Sequence, residues 1–232
     1  MLDKKHIKYF KKILPVDFVL SEEGDCWAYG YDNSKMHVMP ECVLFADSKD
    51  QIKDIVRYCF ENTIPITTRG RGTGNTGGSV PIENSIVLSL EKMNKIIDID
   101  ISNRLAVVQP GVINKVLQDE LQKENFFWGP DPSSQDYSTI GGNIANNSAG
   151  PRAIKYGTPR DNILGLEFIS GTGEIHKTGV KTSKGVVGLD LTRLFVGSEG
   201  VLGILSEATL KILPLNNSVK TFEITFETLK SN

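Results

Sequence analysis

Apolar residues along this chain fall into short runs separated by glycine, proline and polar punctuation. Ile7, Phe10, Ile13 and Leu14 recur at the spacing of one helix face, which predicts a short helix near the start. The stretch after Val19 is polar and contains glycine, so a loop is expected there, and Met39-Pro40 leads into a compact unit. Residues 43–46 are a short apolar run that predicts a strand. Ser48 with Gln51 three residues later has the form of a capping box. Ile52, Ile55, Val56 and Cys59 then repeat at i, i+3, i+4 and i+7, an amphipathic helix with Asn62 at its end. Residues 64–68 are β-branched and strand-like. Strand, helix, strand implies a parallel crossover. Residues 85–90, 95–99 and 105–109 read as three further strands, and Pro110-Gly111 closes the unit.

A second unit follows. Val112, Val116, Leu117 and Leu121 fit a helix, and a loop rich in Pro, Ser and Asp covers 130–136. Residues 138–148 are small and fit a short helix with Ser138 as its cap. A strand is expected at 163–170, turned back by Gly171-Thr172-Gly173. One helical turn fits 191–195. Between 204 and 212, Ala208, Leu210 and Ile212 alternate with Glu207, Thr209 and Lys211, a strand that Pro214 ends. Residues 221–225 read as one more strand. The expected fold is α+β: two consecutive α+β subdomains, at 39–110 and 111–215, behind an N-terminal lead-in at 1–38.

Charge narrows the function. The net charge of -2 offers no cationic excess to track a phosphate backbone, which argues against nucleic-acid binding. Lys4, Lys5, Lys8, Lys11 and Lys12 crowd the start without a long apolar core, so no signal peptide is read there, and no later run is long enough for a transmembrane segment. Cys26, Cys42 and Cys59 are odd in number and widely spaced, which fits reduced thiols in a cytoplasmic protein. His6, His37 and His176 show no metal-ligand spacing.

The candidate chemistry lies in glycine. The segment from Arg69 to Pro81 reads RGRGTGNTGGSVP, and ordering so many glycines is entropically costly. A flexible surface loop is one reading. A phosphate cradle is the favoured one, because glycines let consecutive backbone N–H groups converge on an anion and two arginines add charge. A Walker loop is excluded by the missing lysine. The Rossmann letters Gly72-x-Gly74-x-x-Gly77 are present, but they lead toward a strand rather than opening a helix. A second segment, Thr139-Ile140-Gly141-Gly142-Asn143, fits equally well a tight turn opening a helix or a close approach to a ligand. Tyr156 fits a half-buried aromatic, and the third glycine site, at 196–204, fits a bulge leading into a strand.

Together these segments resemble one family. RGRGTGNTGGSVP at 69–81, DPSSQDYSTIGGNIANNSAGPRAIKYG at 131–157 and VGSEGVLGILSEATLKILP at 196–214 are similar, in order, to the FAD-binding domain of vanillyl-alcohol-oxidase-type (PCMH-type) flavoproteins. The nearest branch is that of the D-2-hydroxyacid dehydrogenases, with glycolate oxidase and D-lactate dehydrogenase. A related flavin domain serves an enolpyruvyl-sugar reductase, but the segment at 131–157 fits the hydroxyacid branch better.

The resemblance implies FAD wedged between the two subdomains. It assigns the pyrophosphate to the backbone of Gly70, Arg71, Gly72, Thr73, Gly74, Asn75 and Thr76. Pro130, Asp131, Pro132, Ser133, Ile140, Gly141, Gly142 and Asn143 would line the flavin side. Asn147, Ser148, Gly150, Tyr156 and Gly157 would shape the inner wall, and Glu199, Gly200 and Ile204 would position the ring and its ribityl chain. Asn75 stands where some relatives carry a histidine that bonds the flavin, so noncovalent FAD is expected. The implied reaction takes a hydride from a small 2-hydroxy acid and passes electrons to a quinone or a partner subunit. Residues 216–232 would begin a cap domain that binds substrate, with the rest of the cap supplied by a partner chain. No catalytic base is assigned. The alternative is a noncatalytic FAD-binding unit that needs a second chain. The expected location is cytoplasmic, free or peripheral to the inner face of the membrane.

Overall fold

The structure, a computed structural model, describes residues 2–182, 185, 188–216 and 218–225. Helix α1 (Lys4–Ile13) opens where the Asp3 carboxylate accepts the Lys5 N–H, and it buries Phe10 and His6. Strand β1 (Val19–Leu20) follows. Where the sequence predicts a loop, the chain makes a short helix, α2 (Glu23–Trp27). It buries only Cys26 and has no side-chain cap, so neither periodicity nor capping marks it.

Every residue of β2 (Cys42–Phe45) is buried. Ser48 Oγ then accepts the Gln51 N–H to start α3 (Lys49–Glu61). The Gln51 side chain reaches back to the Asp47 N–H at 2.9 Å, one residue ahead of the cap itself. Ile52, Ile55, Val56 and Cys59 are all buried, as their spacing requires. Strands β3 (Ile66–Arg69) and β4 (Ile86–Ser89) complete a four-stranded sheet in the order β1-β2-β4-β3. Both β2 and β3 run parallel to β4, so the crossover through α3 skips one place and β4 fills it. Cys42 and Leu44 pack in the cluster that α1 and α3 share, while Val43, Phe45 and Val87 pack with Cys26.

Strands β5 (Ile96–Asp100) and β6 (Leu105–Val108), which the sequence groups with the first unit, lie in the second sheet. The cause is the long strand β10 (Ile204–Pro214), on which Val108 pairs with Ala208 and Leu105 with Lys211. The other side of β10 takes β8 (Ile163–Ile169), and β9 (Ile175–Gly179) follows at the edge. A three-residue strand, β7 (Phe126–Trp128), pairs with the end of β10. Helix α4 (Asn114–Lys123) buries Leu117 and Leu121 and leaves Val116 exposed. Helix α5 (Ile140–Ala145) is capped by Thr139, not by the expected Ser138. Thr139 Oγ1 accepts the Gly142 N–H at 3.1 Å, while Ser138 Oγ accepts instead from the Asn143 side chain. Short helices α6 (Ala153–Tyr156) and α7 (Leu191–Phe195) complete the set.

No strand forms at 221–225. Phe222 and Ile224 are largely exposed there. Residues 226–232 of the expected cap segment lie outside the described residues.

The two sheets share their joint. Ile169 and Ile204, from the second, pack in the core of the first. The Gly111 N–H donates to the Met93 carbonyl at 2.7 Å, and a Cβ at Gly111 would collide with the Leu90 carbonyl. The Glu167 carboxylate on β8 is buried between Lys49 of α3 and Lys177 of β9, each at 3.2 Å, and accepts from Ser206 Oγ at 2.9 Å. A buried carboxylate with three such partners ties the units together.

Candidate functional site

A cleft of about 810 Å³ runs between the two units. Its first wall is the glycine loop that leaves the C-terminal end of β3. Its second is the segment from Pro132 to Ser148, and its third the turn after α7. Loops beyond the C-terminal ends of parallel strands are where open sheets bind ligands.

The glycine loop is ordered by close approach. At Gly72, with φ 65°, a Cβ would collide with the Arg69 guanidinium, and one at Gly70 would collide with Thr139 Oγ1. The second contact brings the two glycine segments, 69 residues apart in sequence, against each other. Arg69 itself is buried. Its Nη1 donates to the Tyr31 carbonyl at 2.7 Å and to the Ser79 carbonyl at 3.4 Å, and Nη2 reaches the Ala28 carbonyl at 3.5 Å. Burial draws its pKa down, opposed by the charges of Glu91, Tyr29 and Asp32. The other arginine of the loop, Arg71, is spent on an ion pair with Glu91 at 2.6 Å.

Residues 31–34, from the N-terminal segment, brace the loop. The Asn33 N–H donates to the Gly74 carbonyl at 2.9 Å, and Asn33 Nδ2 to the Thr73 carbonyl at 3.4 Å. The buried Asp32 accepts from Ser79 Oγ at 3.4 Å. By contrast, no backbone N–H of residues 70–78 donates to a protein acceptor among the described residues. A run of glycine-rich backbone with free donors facing a cleft fits a phosphodiester group, which offers acceptors only.

The opposite wall is held by protein partners. The Gly141 N–H donates to the Pro110 carbonyl at 2.8 Å, and a Cβ at Gly141 would stand 2.7 Å from Pro110 Cβ. Asn143 is buried. Its Oδ1 accepts from Asn114 Nδ2 at 2.9 Å, and its Nδ2 donates to Ser138 Oγ at 3.1 Å. Glu199 completes the cleft in a left-handed turn, φ 52°, with its N–H donated to the Ala145 carbonyl.

Of the residues expected at the cofactor, Gly70, Arg71, Gly72, Thr73, Gly74, Asn75, Thr76, Pro132, Ser133, Gly141, Gly142, Asn143, Ser148, Glu199 and Gly200 line this cleft. The others stand behind it. The Pro130 carbonyl accepts from Asn114 and Gln118. The Asp131 carboxylate holds the loop to Arg152, accepting the Arg152 backbone N–H at 3.0 Å and pairing with its guanidinium at 3.2 Å. Ile140 is a core residue with no exposure. Asn147 accepts the Arg160 N–H, and Gly150 and Gly157 are left-handed turns at φ 81° and 79°. Tyr156 packs edge-on against Phe127, and its hydroxyl accepts from Asn216 Nδ2 at 2.6 Å, which holds its pKa below the usual phenol value. Ile204 packs in the core shared by the two units.

The cleft also holds Asp32, Asn33 and Phe195, which lie outside the three motifs, and Arg69 and Tyr137, which lie within them but were not among the expected cofactor contacts. No histidine or cysteine lines it. All three thiols are buried, and burial pushes Cys59 up to about 12, where it is neither nucleophile nor ligand at neutral pH. No cluster of potential metal ligands occurs among the described residues, and no helix there is long and apolar enough to cross a membrane.

Comparison with known proteins gives the geometry a relationship. Residues 40–179, more than half the chain, match the family described as FAD binding domain. The chain is 45% identical over 202 residues to glycolate oxidase subunit GlcD of Bacillus subtilis (strain 168), spanning 87% of this chain and 43% of that protein. It is 37% identical over 226 residues to D-lactate dehydrogenase of Anaerostipes hadrus, spanning 97% and 47%. The solved structure of an alkyldihydroxyacetonephosphate synthase superposes with TM-score 0.83 at 22% identity, over 94% of this chain and 45% of that one. That of p-cresol methylhydroxylase with substrate bound superposes with TM-score 0.79 at 24% identity, over 93% and 44%. The two structures share the fold, and the chain spans less than half the length of each of these relatives.

Proposed function

The chain belongs to the FAD binding domain family, of PCMH type, and from that premise we propose that it is the flavin-holding half of an FAD-dependent dehydrogenase or oxidase of small 2-hydroxy acids. Glycolate and D-lactate typify the substrate class, which relatives named glycolate oxidase subunit and D-lactate dehydrogenase support. The observation that carries the reading is the cleft, with free amides along one wall and a pre-tied glycine and asparagine wall opposite.

In this reading the N–H groups from Gly70 to Thr76 hold the diphosphate by charge-assisted hydrogen bonds. Pro132, Ser133, Gly141, Gly142 and Asn143 lie along the flavin. Ser148, Glu199 and Gly200 complete its surroundings. Pro130, Asp131, Ile140, Asn147, Gly150, Tyr156, Gly157 and Ile204 act from behind by fixing those segments. When bound, FAD would supply the redox chemistry, oxidising the 2-hydroxy acid to a 2-oxo acid and handing the two electrons to a quinone or a partner subunit. Binding is noncovalent, since no histidine or cysteine borders the cleft.

Anaerobic titration of the flavin-loaded protein with glycolate and with D-lactate tests this. Bleaching of the flavin absorbance is expected with at least one of them. Bound flavin that no 2-hydroxy acid bleaches would leave the second reading, a noncatalytic unit that works only with another chain. Leu189, Leu194, Val201 and Phe222 are largely exposed, and apolar surface of this kind, where it is contiguous, is what a second chain would cover.

A further inference from the structure

Residues 28–37 pack beside the cleft as a closed strap. Tyr31 bridges to His37 in antiparallel fashion, and the Val38 N–H donates to the Gly30 carbonyl at 3.0 Å. At its tip, residues 32–35 make a β-turn. The Lys35 N–H donates to the Asp32 carbonyl at 3.3 Å, and the Asp32 carboxylate accepts the Ser34 N–H at 2.8 Å. Asn33 occupies the second position of that turn. From there it makes both strap contacts to the crown of the glycine loop, to the carbonyls of Thr73 and Gly74.

Those two contacts fix direction. A trans peptide unit is planar, and its C=O and N–H point opposite ways. The Thr73 carbonyl shares its plane with the Gly74 N–H, and the Gly74 carbonyl shares its plane with the Asn75 N–H. Drawing both carbonyls toward Asn33 turns both N–H groups away from the strap. Glycine at 74 lets the backbone turn freely, so without an outside hold the crown would sample many orientations. Two successive N–H groups facing one way are the element from which backbone anion sites are built. Arg69 anchors the base of the strap through the carbonyls of Ala28 and Tyr31.

We infer that Asn33 is a positioning residue: through the strap it holds the Thr73–Gly74 and Gly74–Asn75 peptides with their N–H groups turned into the cleft, ready for the diphosphate of the cofactor. The inference rests on the FAD reading above and adds a role for the N-terminal segment.

Asn33→Pro is the direct test. Proline is well suited to the second position of a β-turn, so the substitution removes the backbone donor and the side-chain amide while preserving the turn. Wild-type and variant chains are titrated with FAD, inorganic pyrophosphate and riboflavin, and melted in parallel. The expected result is FAD and pyrophosphate affinities each weakened about tenfold, with riboflavin affinity and melting temperature unchanged. Asn33→Ala, which keeps the backbone donor, should lose a few-fold in both, and it decides the matter if the proline variant fails to fold. Wild-type binding of FAD with undiminished affinity in the variants overturns the strap alone. Equal losses for FAD and riboflavin also overturn it, since they mark general disruption. A wild-type chain that binds neither FAD nor pyrophosphate removes the cofactor reading and the strap with it.

Discussion

The two glycine segments that meet at Gly70 and Thr139 use the same residue for opposite ends. In the first, from Arg69 to Ser79, glycine leaves backbone donors unspent: no backbone N–H of residues 70–78 has a protein acceptor among the described residues. In the second, from Thr139 to Gly150, glycine lets backbone come close enough to spend them. Gly141 donates to Pro110, Gly142 to Thr139, Ser148 to Asn143, and the Asn143 amide is satisfied on both sides. The first is built to meet something outside the chain and the second to be a rigid surface for it. Substitutions should therefore register in affinity on one side and in stability on the other.

The largest effect is expected at Gly150. Its φ of 81° is costly for any other residue, and a Cβ there would collide with the Asp131 carbonyl. Gly150→Ala should lose about 3 kcal/mol, a fall in Tm of roughly 10 °C by calorimetry. Next is Asn143→Ala, which takes from the fully buried Asn114 amide the nearer of its two acceptors, leaving only the Pro130 carbonyl at 3.4 Å. About 2 kcal/mol should be lost, read from the urea midpoint. In the first loop the signature should reverse. Thr76 is exposed on the cleft wall, so Thr76→Glu should leave Tm within a degree or two while placing a carboxylate beside the anion cradle. FAD affinity should fall at least tenfold, about 1.4 kcal/mol, by fluorescence titration. Loss of stability without loss of affinity would erase the contrast between the segments.

A smaller effect belongs to the joint that holds the two walls apart. Burial raises the pKa of Glu167, but the hydrogen bond from Ser206 and the ammonium groups of Lys177 and Lys49 outweigh it, and the carboxyl ends below its ordinary value. Its folded pKa is thus lower than its unfolded one. It stabilises the protein above the unfolded value and loses that contribution as pH falls through the folded one. Stability measured from pH 7 down to pH 3 should therefore decline less steeply in Glu167→Gln than in the wild type. The least effect is expected from Arg71→Ala, under about 1 kcal/mol in stability by the same urea unfolding, since the Arg71 side chain is half-exposed in its ion pair with Glu91.

Much of this was legible in the sequence, for identifiable reasons. Helix α3 announced itself because Ser48 supplies a cap and four apolar residues share one face. Other elements carried no such mark. Three residues of β7 are too few to alternate, and β9 has almost no buried side, with only Thr178 partly covered. The sheet that β5 and β6 join was hidden because β10, the partner of β6, lies about a hundred residues downstream. At the site, the glycine runs gave the cleft away, but the two arginines read as the loop's charge are both engaged by the protein: Arg71 is paired with Glu91, and Arg69, at the end of a strand, is buried against the Tyr31 carbonyl. The brace from Tyr31 to Ser34 was invisible because its bonds run largely through backbone carbonyls, for which no residue type is diagnostic.

The central claim is that this cleft holds FAD without a covalent bond. The most direct measurement is the visible spectrum of the purified chain, followed by acid precipitation and assay of the supernatant. A flavin spectrum with FAD released intact into the supernatant is the predicted result. A colourless protein that takes up no added FAD, or yellow colour that stays with the precipitate, would contradict it.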